Sequence, residues 1–179
     1  AAVIREREHG TIEHLLVMPV DANEIVMAKI LANGLIILVS SLLSLLLVVH
    51  RAVGVPINGS LALFVFCEAV YLFAMAGLGV LLATQAPTMP QFSLLCIIVY
   101  IAVFLLSGST SPIENLPPWL RSLSELSPMT QFTALSKDIV FRGAGWNVIR
   151  HRVAITAVSG ILFTALAVIR FRRMLAQQN

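Results

Sequence analysis

Charge is nearly absent from the middle of this chain: positions 30 to 112 hold only two charged residues, Arg51 and Glu68. Over all 179 residues the charged fraction is 12%, against about 25% in ordinary soluble domains, and 58% of residues are hydrophobic. That balance excludes a water-soluble globule, and such apolar content equally excludes a disordered chain. Basic residues are too few and too scattered to follow a phosphate backbone, and the formal net charge is only +3, so nucleic acid is not a partner. Cysteine is scarce as well. Cys67 and Cys96 both sit in apolar tracts, where a thiol behaves as a small hydrophobe, and no metal-ligand cysteine spacing exists. Catalytic signatures are missing too: no GxxxxGK[ST] loop, no GxGxxG, no GxSxG elbow, no paired carboxylates within an apolar tract.

The charges that are present form islands. Residues 1–29 carry eight, residues 113–152 another eight, residues 153–169 none, and the last ten residues three arginines. Uncharged tracts alternating with charged ones mark an all-α, polytopic membrane protein, a helical bundle with about four transmembrane helices. The tracts are Ile30–Val49, Leu61–Ala83 (broken only by Glu68), Phe92–Leu106 and Val153–Ile169. Twenty residues at 1.5 Å each span a hydrocarbon core of roughly 30 Å, and the arginines flanking the last tract extend its reach by snorkelling. Four spans place both ends on one side. The basic residues divide six against six between the two sides, so the positive-inside rule leaves the orientation open.

The connections differ in kind. Residues 1–29 read as two short helices broken at Met18-Pro19-Val20, with Asp21 and Glu24 placed to cap the second. Residues 50–60 and 84–91 are turns. Residues 107–152 are too long for a turn and too patterned for disorder. Trp119, Leu120, Leu123 and Leu126 recur on one helical face, with the Arg121 and Glu125 pair on another. After Pro128, the residues Phe132, Leu135 and Ile139 recur at helical spacing, with Lys137, Asp138 and Arg142 off that face. Two amphipathic helices at the membrane surface, or dipping into it, are expected.

Three constellations could carry chemistry. Glu8-His9-Gly10-Thr11-Ile12-Glu13-His14 suggests a zinc hydrolase, but His9 and His14 are five residues apart. That spacing leaves them about 140° apart around a helix, where zinc needs both on one face. Glu68 lies two turns inside a span. Ionisable groups at membrane depth mark sites or pathways, although this one is also near enough to the span's start to reach the interface. Thr156, Gly160 and Thr164, with Gly79 and Ala83 and with Ser40 and Ser44, repeat at the four-residue spacing that lets helices approach closely.

The order of three blocks resembles the ABC-2 type transporter permeases, the membrane subunits of ATP-driven exporters. Glu8-His-Gly10-Thr11-Ile-Glu13-His-Leu15-Leu16-Val-Met-Pro19 is similar to the family's cytoplasmic E-x-G-T-x-E-x-L-L-x-x-P segment. Gly77-Leu-Gly79-Val-Leu-Leu-Ala-Thr84 matches the glycine-rich end of a span, with Thr84 where serine is usual. Leu106-Ser107-Gly108-Ser-Thr-Ser-Pro112-Ile-Glu-Asn-Leu-Pro117-Pro118-Trp119, followed by Ser127-Pro128 and Phe141-Arg-Gly143-Ala-Gly145, reads as the LSGxxxPxxxxPxW block and its sequel. Ser127 stands where the family commonly has asparagine, and Lys137 where it has arginine.

The resemblance covers essentially the whole chain and implies several things. Two spans precede Ala1, so the chain is the C-terminal part of a permease in a bacterial inner or plasma membrane, with both termini cytoplasmic. Residues 1–29 form the coupling segment: Glu6, Glu8, Gly10, Thr11, Glu13, Leu15, Leu16 and Pro19 meet a separate ABC ATPase subunit. That partner, and not this chain, binds ATP and Mg, so the chain itself holds no cofactor and no metal and is not an enzyme. Residues 30–106 hold three spans, with Glu68 as the intramembrane pathway candidate. Residues 107–152 form re-entrant, extracytoplasmic-side helices whose gate includes Ser107, Gly108, Pro112, Pro117, Pro118, Trp119 and Pro128. Residues 153–169 are the last span and 170–179 a cytoplasmic tail. A second permease copy completes a homo- or heterodimer, and drugs, lipids or other small hydrophobic molecules are the expected cargo. Two rivals are a membrane anchor or regulatory subunit without its own pathway, and a membrane-embedded metallohydrolase using His9, Glu13 and His14.

Overall fold

The structure, a computed structural model, describes residues 22–54, 56–110 and 112–176. The coupling segment up to Pro19 lies outside the described residues. Among the described residues there are six α-helices and no strand. They are α1 (Ala22–Ser44), α2 (Leu61–Ala83), α3 (Met89–Leu106), α4 (Pro118–Glu125), α5 (Pro128–Val140) and α6 (Trp146–Ala176). Among the described residues, four stretches are long and apolar enough to cross a membrane: Leu31–Ala52, Leu61–Ala83, Met89–Leu106 and Trp146–Arg172.

Local chemistry sets the helix ends. Beyond Ser44, the first span widens into a π-helix over Leu45–Ala52, closed by Val53 N–H on the Val48 carbonyl at 2.9 Å, and Gly54 takes the left-handed turn at φ 75°. The Ser60 hydroxyl caps α2 by accepting from Leu63 N–H at 3.4 Å. Pro90 falls in the first turn of α3, where its missing N–H costs nothing, so this helix starts three residues ahead of the uncharged tract read from sequence. The last helix likewise begins at Trp146 and carries Arg150 and Arg152 in its opening turns.

Helices α2 and α6 cross closely to form the spine. Small residues permit it: an added Cβ at Gly160 would lie 3.0 Å from the Ala74 Cα, and one at Gly77 would lie 2.5 Å from the Thr164 hydroxyl. The buried stripe on α6 runs Ile149, Val153, Thr156, Gly160, Thr164, Ala167, Phe171. Gly160 and Thr164 therefore do form the close contact expected of them, and Thr156 is buried on the same stripe. On α2 it is Gly77 rather than Gly79 that meets them, since Gly79 faces open space.

An apolar cluster sits at each end of this spine. At one end Ala83, Ala86 and Phe171 pack with Met89 and Phe92, and Arg170 donates to the Gln85 side chain at 2.7 Å, tying α6 to the α2–α3 turn. At the other end Phe64, Cys67, Leu135, Ile139, Ile149 and Val153 join α2, α5 and α6. Helix α1 lines one side of α2, and α3 lies at the edge with no buried residue.

Candidate functional site

Two features hold polar groups within this apolar frame: Glu68 on α2, and the α4–α5 hairpin at the end of the spine where α6 begins.

Glu68 is 5% exposed. It looks toward α1, where the Ser41 hydroxyl is its hydrogen-bond partner, while its Oε2 has no partner. The Ser41 hydroxyl also lies 3.0 Å from the Leu38 carbonyl, so its single proton is donated either there or to Glu68. Burial removes the option of reaching water at the span's start, so the carboxyl is an interior group of the α1–α2 seam.

The hairpin begins where α3 stops. Ser107 is fully buried, and its hydroxyl donates to the Phe104 carbonyl at 2.6 Å and accepts from Ser109 N–H at 3.3 Å. Gly108, at φ 75°, turns the chain, and Lys137 Nζ donates to its carbonyl at 3.1 Å. Pro112 opens a single 3-10 turn over Ile113–Asn115. Pro117 precedes α4, Pro118 starts it, and Pro128 starts α5, so each proline stands where a helix can accept it. Pro128 is buried, whereas Trp119 is 71% exposed. The Trp119, Leu123 and Leu126 face of α4 points away from the rest of the chain, and the Arg121–Glu125 pair at 3.2 Å lies on its surface.

Helix α5 instead buries the face foreseen for it. Leu135 and Ile139 are each 1% exposed, and Phe132 stacks on Tyr71 with ring centroids 4.3 Å apart. Tyr71 lies ten residues into α2, about 15 Å of helical rise from Leu61. The C-terminal end of α5 meets the loop before α2: Asn58 N–H donates to the Val140 carbonyl at 3.0 Å, and its side-chain amide donates to the Phe141 carbonyl at 2.9 Å. Gly59 presses against the Ile139 carbonyl so closely that no Cβ would fit. Helix α5 thus runs alongside α2 over this whole distance, its N-terminus at mid-length of α2 and its C-terminus beside the start.

A polar lattice joins the hairpin to α6. Gln131, 3% exposed, donates to the Glu125 carbonyl and accepts from Arg152 at 3.1 Å. Arg152 also approaches Asp138 at 3.9 Å, and Asp138 pairs with Arg142 at 2.9 Å. Sequence reading placed Asp138 and Arg142 correctly off the apolar face but missed Gln131, Arg152 and Asn58 as the groups that fasten the hairpin. Asn58-Gly59 is a short turn signal whose partner lies some eighty residues away, so nothing local reveals it.

Among the described residues, no group of three histidine, cysteine or acidic side chains could hold a metal ion. His9, Glu13 and His14, the residues of the zinc reading, lie outside the described residues, as do Glu6, Glu8, Gly10, Thr11, Leu15, Leu16 and Pro19.

Comparison with known proteins agrees with the order of blocks. The ABC-2 type transporter family profile matches residues 1–141. The inner membrane transport permease YhhJ of Escherichia coli K12 is 44% identical over 174 residues, 97% of this chain and 46% of that protein. The probable multidrug ABC transporter permease YbhR of the same organism is 34% identical over 163 residues, 89% of this chain and 44% of that protein. ABC transporter G family member 20 of Dictyostelium discoideum is 25% identical over 142 residues, 79% of this chain and 19% of that protein. The chain spans about half the length of the bacterial relatives it matches, and no solved structure matches it. With four apolar helices of spanning length and the family profile over most of its residues, this chain is a multi-pass membrane protein and belongs to the ABC-2 type transporter family.

Proposed function

We propose that this chain is part of the transmembrane subunit of an ABC exporter in a bacterial inner membrane, where it forms a transport pathway and takes its driving force from a separate ATPase. Family membership is the observation that carries this reading. An ABC permease must receive work from a protein it does not covalently contain, and Glu8-His-Gly-Thr-Ile-Glu13 supplies the charged residues such a reversible contact needs. Hydrophobic small molecules are the cargo. The name of YbhR as a probable multidrug permease and the apolar character of the spans both favour that class.

The α4–α5 hairpin is the extracytoplasmic, re-entrant gate of this machine. Ser107 is buried where α3 ends, and Pro128 and Gln131 are buried on α5, which supports seating α5 and the start of the connection within the protein, while Ser109, Thr110, Pro112, Glu114, Asn115 and Pro117 are exposed on its outer side. A second permease copy completes the pathway, and the ATP-driven closure of two ATPases moves the coupling segments.

The test uses the full-length protein with its ATPase. Glu8→Ala/Glu13→Ala is expected to reduce co-purification of the ATPase and to abolish substrate-stimulated ATP hydrolysis in liposomes. Unchanged binding and unchanged stimulation would refute the coupling role, and wild-type protein that binds its ATPase but moves no hydrophobic substrate would leave only a membrane anchor.

A further inference from the structure

A groove follows α6 along the side of the spine, lined from Ile161 through Ala165 and Val168 to Arg172, with Phe73 of α2 as a second wall. Its volume is about 400 Å³, more than twice that of a cavity that holds a benzene ring (roughly 150 Å³). The lining positions recur every three or four residues, so they form one continuous strip of the helix. From Ile161 to Arg172 the strip rises about 17 Å at 1.5 Å per residue. Half of a hydrocarbon core of roughly 30 Å is about 15 Å, so the groove is one bilayer leaflet deep. Ile161 is 62% and Ile169 48% exposed, so no other part of the described chain covers the strip.

The groove is apolar along its length and cationic at one end. Arg172 is exposed, and among the described residues no acidic side chain pairs with it. Helix α6 has no acidic residue at all. The one carboxyl of α2, Glu68, lies toward the start of α6, because the two helices run the same way: Gly160 meets Ala74, and Phe171 packs with Ala83. Arg170 turns instead to Gln85, donating at 2.7 Å, which leaves Arg172 as the guanidinium at the mouth of the groove. A guanidinium binds phosphate through two parallel hydrogen bonds. An apolar helix would fill the groove and leave that guanidinium unpaired, whereas a phospholipid supplies acyl chain and phosphate together.

We propose that this groove holds one anionic phospholipid, an acyl chain lying along Ile161 to Ile169 and the phosphate paired with Arg172. A net-negative headgroup is favoured over a zwitterionic one because no carboxylate lines the groove to meet a headgroup cation, and the last ten residues hold three arginines and no acid. The lipid is a resident of the bundle and not its cargo, so the site does not depend on reading the chain as part of an exporter.

Delipidated full-length protein in detergent, without nucleotide or ATPase, is titrated with dioleoylphosphatidylglycerol and, separately, with dioleoylphosphatidylcholine. Native mass spectrometry counts the bound lipids. Wild type is expected to bind its first phosphatidylglycerol at least fivefold more tightly than its first phosphatidylcholine. Arg172→Gln is expected to bring the two within about twofold, and Arg172→Lys, which keeps the charge but not the fork, to retain a smaller preference. Ala165→Trp places a ring in the groove from an exposed position and is expected to weaken phosphatidylglycerol at least fivefold. Arg121→Gln removes a positive charge from α4 and is expected to leave the preference as in wild type. Glycerol 3-phosphate, which carries the phosphate without the chains, is expected not to displace the lipid.

A wild-type protein with no preference for phosphatidylglycerol, as when a helix from elsewhere in the protein or from a second copy fills the groove, would overturn the proposal. So would an Arg172→Gln protein that keeps the preference, an Ala165→Trp protein that binds as wild type, or an Arg121→Gln protein that loses the preference as Arg172→Gln does. Displacement by glycerol 3-phosphate would reduce the site to a phosphate contact and refute the role of the groove.

Discussion

The α2–α6 crossing predicts an order of stabilities among single-carbon insertions. Alanine at 160 places its Cβ 3.0 Å from the Ala74 Cα, 3.0 Å from a Phe73 ring carbon and 3.1 Å from the Ala74 Cβ. Backbone is among the atoms met, so the helices themselves must separate. Overpacking of this kind costs about 1–3 kcal/mol. Replacing helical glycine by alanine returns about 0.5–1 kcal/mol of backbone entropy. Gly160→Ala is therefore expected to lose about 1–2 kcal/mol. Gly79→Ala has the same entropic gain and no neighbour within 4 Å, so it is expected to be neutral or stabilised by about 0.5–1 kcal/mol.

Gly77→Ala sets its Cβ 2.5 Å from the Thr164 hydroxyl oxygen and 3.2 Å from the Thr164 amide nitrogen. That hydroxyl is buried without a hydrogen-bond partner, so Thr164→Ala removes the obstacle at little polar cost. The double variant Gly77→Ala/Thr164→Ala is expected to recover about 1 kcal/mol relative to the sum of the single changes, the size of coupling seen for touching residues. Unfolding of the full-length protein in mixed micelles, driven by increasing SDS fraction and followed by circular dichroism, measures all five variants. Equal stabilities for Gly160→Ala and Gly79→Ala, or strict additivity of the 77/164 pair, would refute the close crossing.

Other outcomes follow from the fastening of the hairpin. Gln131→Leu removes the buried amide that links the Glu125 carbonyl to Arg152, and is expected to cost about 1–3 kcal/mol in the same unfolding assay. Arg142→Ala, whose partner Asp138 it meets from a side chain 80% exposed, is expected to change stability by less than about 1 kcal/mol. A larger effect from Arg142 than from Gln131 would contradict the lattice described. Asn58→Ala loses the amide bond to the Phe141 carbonyl and is expected to cost about 0.5–1.5 kcal/mol. Faster limited proteolysis near Gly143 is its second readout, and an unchanged cleavage rate would argue that the loop before α2 does not hold α5 in place.

Spans were legible because hydropathy and length act locally. Leu61–Ala83 matches its apolar tract residue for residue. Where charge and helix part company, hydropathy misplaces the boundary. Arg150 and Arg152 close the apolar tract, yet the backbone stays helical back to Trp146, and Arg152, half-exposed, also reaches Gln131 and Asp138. Pro90 reads as a turn residue but serves as the start of α3. The widening of α1 at Leu45 leaves no compositional trace at all.

Of the candidate site, Glu68 stood out as a lone carboxyl in an apolar run, but its choice between interface and interior depended on Ser41, Leu38 and the packing of α1, which no periodicity encodes. The apolar face of α5 was visible in Phe132, Leu135 and Ile139, whereas what that face meets, Tyr71 and Phe64, belongs to a helix sixty residues earlier.

The spine also has a genetic consequence. Every missense change at a glycine codon installs a residue with a Cβ, so Gly77 and Gly160 have no gentle missense neighbour. Gly34 and Gly79, which face open space, have several. Spontaneous variation in this chain is thus expected to drift freely at one pair of glycines and to be purged at the other.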